Sequence, residues 1–131
     1  MNDIDIIEQI MEGYWETMFW SNMADIEEES EIYGKTIEDV HWQAIADITT
    51  KVTLFYAHNK QLLTIANDKY TEDWGRIGHD LFLTTNHHGA GFWDGDYGED
   101  LGEALTEACR MIKSQDFYTG DDGIVYMSEG Y

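Results

Sequence analysis

Proline is absent from the sequence, cysteine occurs once, and lysine and arginine together occur seven times in 131 residues. Without proline, nothing in the sequence marks a rigid linker between domains. The single Cys109 cannot form an internal disulfide, which suits a reducing cytoplasm. Because phosphate neutralisation requires clustered basic side chains, we expect no direct contact with nucleic acid.

Long apolar runs and a basic start are also missing. No stretch of eighteen uncharged apolar residues occurs in the sequence, which argues against a membrane-spanning helix. Residues 1–5 are acidic rather than basic, unlike the start of a signal peptide. We therefore expect a cytoplasmic protein that does not contact a membrane.

The sequence is rich in acidic and aromatic side chains. It holds 27 Asp and Glu, for a formal charge of −20, with 43% hydrophobic and 14% aromatic residues. A disordered acidic tail would be poor in aromatics, so this composition predicts one folded domain with its own core. Residues 1–34 contain ten acids and no lysine or arginine, and residues 87–131 contain ten acids against two basic residues. We therefore distinguish an acidic N-terminal helix and connection at residues 1–34 from an α+β core domain at residues 35–131.

Apolar residues at spacings of three and four predict amphipathic helices through most of the chain. The first covers residues 3–20, with Ser21 near its end. The second begins at Thr36, where Asp39 stands in a capping-box position, and runs to about His58. Because threonines disfavour helix, a strand at residues 50–56 is the alternative. Shorter helices are predicted at residues 60–66, 72–77 and 100–113.

Two short strands are predicted around a glycine loop. Residues 81–85 would form the first and residues 91–93 the second, with Gly91 allowing a tight turn between them. Phe92 and Trp93 would anchor this turn in the core.

A second pair of strands is predicted near the end of the chain. Residues 117–119 and 124–126 flank a turn at residues 120–123 whose Gly-Asp-Asp-Gly sequence favours a hairpin. The expected fold class is α+β, in which amphipathic helices pack on a small antiparallel β-sheet in a single domain.

One stretch of the chain carries a recognisable pattern. Residues 78–94 read GHDLFLTTNHHGAGFWD, and residues 118–123 read YTGDDG. The pattern GHDxxLTxNxHGAGFWD followed by YxGDDG resembles a family of small proteins encoded by bacterial viruses, over roughly residues 36–127. The resemblance implies a phage origin and the host cytoplasm, but no particular activity. Members commonly carry Arg where Thr85 stands and Gly where His87 stands, which counts against an active site in this loop.

The most enzyme-like group of residues surrounds this loop. Imidazole and carboxylate groups bind transition metals and exchange protons near neutral pH. No His-x-His or His-x-x-x-His spacing places two ligands on one face, however. We therefore interpret the loop as structural and keep a small phage enzyme or metal-binding domain as the alternative. The residues that would serve it are His79, His87 and His88, with Asp80, Asp94 and Asp96 nearby.

Two other motifs do not meet the requirements of a site. The acidic run that starts at Asp94 resembles a calcium loop, but its twelfth position is Leu105 rather than glutamate. Its acids are expected to complement the dipole of the following helix. Cys109 has no flanking nucleophile signature and is predicted to be a buried structural thiol. We expect neither a cofactor nor a metal ion.

The acidic side of the first helix is the most informative feature. Asp5, Glu8, Glu12 and Glu16 recur at spacings of three, four and four, where like charges destabilise a helix by about 0.2–0.5 kcal/mol per pair. At roughly 1.5 Å per residue these carboxylates repeat about every 6 Å, close to the spacing of successive phosphates on a nucleic-acid strand. The charge of −20 also exceeds the roughly 2–8 charges that keep a small domain soluble. A solvated face that serves only solubility is the alternative.

These features predict a non-catalytic interaction protein. We expect a DNA-mimic inhibitor that occupies the basic nucleic-acid-binding groove of a host or defence protein, such as a restriction enzyme, a CRISPR effector or another nuclease. Exposed aromatics such as Trp20 or Tyr33 would anchor it. An acidic virion or assembly accessory is a further alternative, and a homodimer stays open. The predicted partner-binding residues are Asp5, Glu8, Glu12, Glu16, Glu27, Glu28, Glu29, Asp94, Asp96, Glu99 and Asp100.

Overall fold

The computed structural model of the chain describes residues 1–24, 32, 34–86 and 90–129. This part contains five α-helices and a two-stranded antiparallel sheet, which confirms the predicted α+β class. None of the described helices is long and apolar enough to cross a membrane. The helices are α1 (Asp3–Ala24), α2 (Trp42–His58), α3 (Lys60–Ala66), α4 (Trp74–Thr85) and α5 (Glu99–Ala108), and the strands are β1 (Gln115–Thr119) and β2 (Val125–Glu129).

The predicted first helix is confirmed, and it continues past the residue expected to end it. The Ser21 hydroxyl donates to the Met18 carbonyl oxygen at 3.1 Å, so this side chain bonds back to the helix instead of stopping it. Ile10 and Met18 on the apolar face are fully buried. The first helix therefore contributes directly to the core of the molecule.

The second helix is confirmed from Trp42 onward, and the strand alternative is wrong. A short 3₁₀ turn (Ile37–Asp39) precedes it, in which Asp39 Oδ2 accepts the Thr36 backbone N–H at 2.9 Å. Thr49 and Thr50 lie within α2, where their hydroxyls donate to carbonyl oxygens four residues earlier, at 2.7 and 3.0 Å. Burial of Ile48, Val52 and Phe55 on the apolar face of α2 outweighs the low helix propensity of the β-branched threonines.

The predicted strand at residues 81–85 is wrong, because these residues form the second half of α4. Asp73 caps the helix through Oδ1, which accepts the Gly75 N–H at 2.9 Å. Leu81, Phe82 and Thr85 then repeat at helical spacing on its buried face. Such a short apolar run has no clear period of its own, so the preceding cap decides between helix and strand. The strand predicted at residues 91–93 is also wrong, since these residues form a bend and turn.

The predicted hairpin is confirmed and forms the only sheet in the described part of the chain. β1 and β2 pair antiparallel, with Tyr118 opposite Tyr126. The His41 N–H donates to the Val125 carbonyl oxygen at 2.8 Å, which joins the hairpin to the start of α2. Val125 itself is fully buried, so the hairpin closes one side of the helical core.

The remaining helices follow the sequence closely. α3 has the bounds that were predicted for it. α5 is shorter than predicted, because it ends at Ala108 and a 3₁₀ turn (Cys109–Met111) follows. Cys109 is buried, as predicted, and burial raises the pKa of its thiol. It is therefore a structural residue rather than a nucleophile.

Helices α1 and α4 pack backbone against backbone at two glycines. A Cβ atom at Gly13 would lie 1.9 Å from the Gly75 carbonyl oxygen, and one at Gly78 would lie 1.9 Å from the Ile10 carbonyl oxygen. No side chain fits in that space. The contact between these two helices is the most extensive of those between the described helices.

We predict that Gly78→Ala destabilises the protein by at least about 2 kcal/mol, because the added methyl group forces the two backbones apart. Gly75→Ala is the matched control, since its Cβ would meet the Asp73 side chain at 3.1 Å and, on α1, only the Gln9 carbonyl oxygen at an ordinary contact distance of 3.9 Å. Its effect should stay below about 1 kcal/mol. Urea unfolding followed by circular dichroism measures both, and equal stability of the two variants would contradict the close contact.

One aromatic residue, not two, anchors the turn that follows α4. Gly91 has a φ of +148°, and a Cβ there would lie 2.2 Å from Thr84 Oγ1. Thr84 Oγ1 accepts the Phe92 N–H at 3.0 Å, and Phe92 is fully buried. Trp93 is 52% exposed, so its predicted place in the core is wrong. The turn sends these two consecutive side chains in different directions, and only the first reaches the core.

Phe92→Ala should therefore cost about 3–5 kcal/mol of stability through the cavity that it opens. Trp93→Ala should change stability by less than about 1 kcal/mol, because it removes a side chain that solvent already contacts. Thermal unfolding of the two variants against the wild type checks the pair. A larger loss for Trp93→Ala than for Phe92→Ala would overturn the assignment.

Candidate interaction surface

Four carboxylates line the exposed side of α1, and we call Asp5, Glu8, Glu12 and Glu16 the acidic stripe. All four residues are exposed. Within the described part of the chain, none of these carboxylates takes part in an ion pair or a hydrogen bond. Asp3, at the start of the same helix, is compensated by Lys60 Nζ at 3.1 Å and by the Tyr56 hydroxyl at 3.0 Å. These two hydrogen bonds lower the pKa of Asp3.

The second half of the stripe forms a ridge between two grooves. Glu12, Glu16 and Trp20 line both grooves. The Trp20 side chain is 59% exposed, which agrees with the exposure expected of an anchor. Its ring centroid lies 6.1 Å from that of the His79 imidazole. Tyr33, the other aromatic residue suggested as an anchor, lies outside the described residues.

The groove on one side of the ridge has a volume of about 890 Å³, and we call it the apolar groove. Lys35 lines it and donates from Nζ to the Gly123 carbonyl oxygen at 2.8 Å. Trp15 also lines it; this residue is nearly buried, and its indole N–H has no acceptor among the residues that the structure describes. The other apolar side chains of this groove are Met11, Phe19, Ile37 and Ile45.

The groove on the other side is polar and has a volume of about 600 Å³. His79 Nδ1 lies 2.8 Å from Thr17 Oγ1 there. The Thr17 hydroxyl donates to the Gly13 carbonyl oxygen at 2.7 Å, so the histidine Nδ1 is the donor in the bond between the two side chains. His79 therefore ties α4 to α1, in agreement with a structural role.

Arg76, which lines the same polar groove, is held by two aspartates. Its Nε lies 3.2 Å from Asp80 Oδ2, and its Nη2 lies 2.8 Å from Asp96 Oδ2. The Tyr97 hydroxyl donates to the same Asp80 oxygen at 2.5 Å. Asp80 is 1% exposed, and burial raises its pKa against the opposing effects of Tyr97 and Arg76. This network fastens α4 to the turn before α5.

The second predicted acidic group lies around that turn and is exposed. Asp96 is paired with Arg76, and Asp94 Oδ2 accepts the Gly91 N–H at 3.4 Å. Glu99 and Asp100 occupy the first turn of α5, where the helix dipole favours acids. These carboxylates therefore stabilise the local fold, whereas the carboxylates of the acidic stripe make no hydrogen bond or ion pair within the described part of the chain.

Several predicted site residues lie outside the described residues: Glu27, Glu28, Glu29, His87 and His88. Of the enzyme-like group, Asp80 and Asp96 both pair with Arg76. In the described ranges, no three His, Cys, Asp or Glu side chains are grouped so that they could hold a metal ion. An enzyme or metal-binding role for the histidines stays a hypothesis that no described contact favours.

Two parts of this surface escaped the sequence analysis. Arg76 and Asp80 have the spacing of four that allows an ion pair on a helix, so this one contact of the network could have been predicted from the sequence. No pattern in the sequence indicates the hydrogen bond from Tyr97 to Asp80, because it depends on how the turn folds back onto α4. The apolar groove gave none either, since Ile37 and Ile45 reach it from a different part of the chain.

Comparison with protein-family models, with curated proteins and with solved structures finds no match for this chain. The resemblance to small phage-encoded proteins therefore stays a prediction. What the protein does has to be inferred from its residues and their geometry.

The network gives a testable dependence on pH. Tyr97→Phe removes a hydrogen bond to a buried carboxylate and should cost about 1.5–3 kcal/mol at pH 7.5. The raised pKa of Asp80 means that the folded state binds this proton more readily than the unfolded state. The contribution of Asp80 to the free energy of unfolding is therefore present below the ordinary carboxyl pKa of 3.8. It is lost as the pH rises through the higher pKa that Asp80 has in the folded state.

Without the Tyr97 hydroxyl, which lowers the pKa of Asp80, that pKa should rise further. The cost of Tyr97→Phe should consequently shrink as pH falls from 7.5 to 5. Tyr70→Phe is the control, because Tyr70 is 45% exposed and its hydroxyl has no hydrogen bond in the described part of the chain. Urea unfolding at both pH values tests this. A cost that does not change with pH would contradict the role given to Asp80.

Proposed function

We propose that this protein is a non-catalytic, phage-type DNA mimic that inhibits a host DNA-binding or defence protein. The observation that carries the proposal is the acidic stripe. Its four carboxylates are exposed and have no counter-ion among the described residues. They follow one another at helical spacing and therefore repel each other. Binding to a basic surface would relieve that repulsion.

The arrangement of charge supports a nucleic-acid-binding groove as the target. The stripe repeats about every 6 Å along α1, as phosphates do along a strand. Arg76 reaches from the polar groove beside Glu12 and Glu16 to Asp96, so further exposed carboxylates lie next to the same side of the molecule. A formal charge of −20 would steer the protein towards a basic partner and make association fast and sensitive to salt.

Trp20 supplies what charge alone does not. It stands beside Glu16 on the ridge and is mostly exposed. Large aromatic side chains carry a disproportionate share of binding energy when a partner buries them. A partner that accepts both the carboxylates and this ring would be distinguished from any other basic protein.

Neutralising the stripe tests the proposal. The variant Asp5→Asn, Glu8→Gln, Glu12→Gln, Glu16→Gln should lose inhibition of its target by at least about tenfold and show a shallower dependence on salt. Its stability should be unchanged or higher, because like charges are removed. The assay is competition with duplex DNA for a panel of purified restriction enzymes and CRISPR effectors at two salt concentrations.

The matched control removes four charges elsewhere, through Asp47→Asn, Asp68→Asn, Glu72→Gln and Asp116→Asn. These residues are exposed and lie outside the stripe. The control should keep most of the inhibition, because only its total charge has changed. If both variants lose inhibition equally, net charge rather than the stripe is responsible. If neither loses it, the stripe has no part in binding.

A further inference from the structure

The apolar groove runs beside the acidic stripe over about three turns of α1. Its lining residues from this helix lie between Glu8 and Trp20, a length of roughly 18 Å at 1.5 Å per residue. Glu8, Glu12 and Glu16 form its rim, and Trp15 and Phe19 belong to its apolar wall. The groove therefore presents a line of negative charge directly beside a line of apolar surface.

We infer that this groove docks a basic amphipathic helix of the partner protein. The apolar side of that helix would lie on the groove, and its Lys or Arg side chains would face the acidic stripe. This inference rests on the proposed function and names the kind of element that the stripe binds. It also adds an apolar contact that a simple imitation of DNA does not include.

Charge complementarity and spacing identify this occupant. Glu8, Glu12 and Glu16 repeat every four residues, so basic residues spaced by four on a helix packed alongside α1 would meet them one by one. Apolar residues at spacings of three and four on the adjacent side of that helix would meet Met11 and Phe19. This is the usual way in which an amphipathic helix occupies a groove.

Trp15, in the wall of the groove, carries a hydrogen-bond donor that no described residue satisfies. Its indole N–H is buried and has no acceptor in the part of the chain that the structure describes. A buried donor without an acceptor costs free energy, and Trp15 belongs to the lining of this groove. The indole nitrogen is closed off from solvent in the free protein, so a glutamine or serine of the docked helix would satisfy it only if the Trp15 ring turns toward the groove.

A second copy of this chain does not fit the same requirement. Each described helix carries at most one Lys or Arg, so none offers a basic row to the stripe. Placing α1 of another copy in the groove would bring two acidic stripes together. The occupant must therefore come from a protein with a different charge pattern.

The test uses a synthetic helical peptide of eighteen residues with leucine at spacings of three and four, lysine along one flank and glutamine at the remaining positions. Binding to the full chain is measured by isothermal titration calorimetry. The comparison peptide has the same composition in scrambled order, which keeps the charge and removes the amphipathic pattern. The ordered peptide should bind at least about tenfold more tightly than the scrambled one. Equal affinities would overturn the inference.

A matched pair of variants locates the contact. Ile37 lines the groove and is 42% exposed, whereas Ile65 lies elsewhere and is 49% exposed. Ile37→Glu and Ile65→Glu each add one negative charge, which by itself favours a basic peptide. Ile37→Glu should nevertheless weaken binding about tenfold, because it removes apolar contact, while Ile65→Glu should change it less than twofold. Equal effects of the two variants would overturn the inference.

These outcomes separate the inference from the proposed function. If the ordered peptide binds but Ile37→Glu has no effect, while neutralising the stripe still abolishes inhibition, the groove is not the docking site and the proposed function stands. If neutralising the stripe leaves inhibition intact, the proposed function fails even when the peptide occupies the groove. Peptide binding should also shift the Trp15 indole resonance in the ¹H–¹⁵N spectrum, and no shift would contradict its proposed partner.

Discussion

The close approach of α1 and α4 determines which residues the protein presents to solvent. Gly13 and Gly78 bring the two backbones together, and the apolar side of α1 faces α4 and the core as a result. The other side of α1 must then face outward, and that side carries the acidic stripe. A bulkier residue at either glycine would move the stripe relative to both grooves. The arrangement of the candidate surface thus depends on two positions that carry no charge.

Four of the seven Lys and Arg side chains of the chain contact identified groups of the described structure. Lys60 compensates Asp3, Lys35 bonds to the hairpin turn, and Arg76 joins Asp80 to Asp96. Arg110 pairs with Glu107 at 3.1 Å. The acidic stripe receives none of these contacts, although Arg76 and Lys35 both line grooves beside it. This distribution distinguishes acids that stabilise the structure from acids that remain available to a partner.

Local patterns in the sequence predicted the elements that depend on local interactions. The first helix, the helix at residues 60–66 and the final hairpin follow from apolar spacing and turn residues. The strand prediction at residues 81–85 is wrong because a short apolar run has the same composition in a helix and in a strand. The Asp73 cap and the contact with α1 favour the helix. The acidic stripe on one side of α1 was predicted because all four of its residues belong to the same helix and their spacing can be read directly from the sequence. The Tyr97 contact and the apolar groove were not, since they join residues that are distant in the chain.

Charge and apolar contact act on different stages of binding, and this surface provides both within one helix. In the proposed complex, long-range attraction by the stripe would raise the rate of encounter and weaken with salt, whereas burial of groove residues would act mainly on how long the complex lasts. A protein with only the stripe would bind many basic surfaces briefly. A protein with only the groove would bind apolar helices slowly and without regard to charge. Because Glu12, Glu16 and Trp20 border the apolar groove directly, a partner of the proposed kind would have to satisfy both requirements at the same place, and this shared boundary would make the interaction selective.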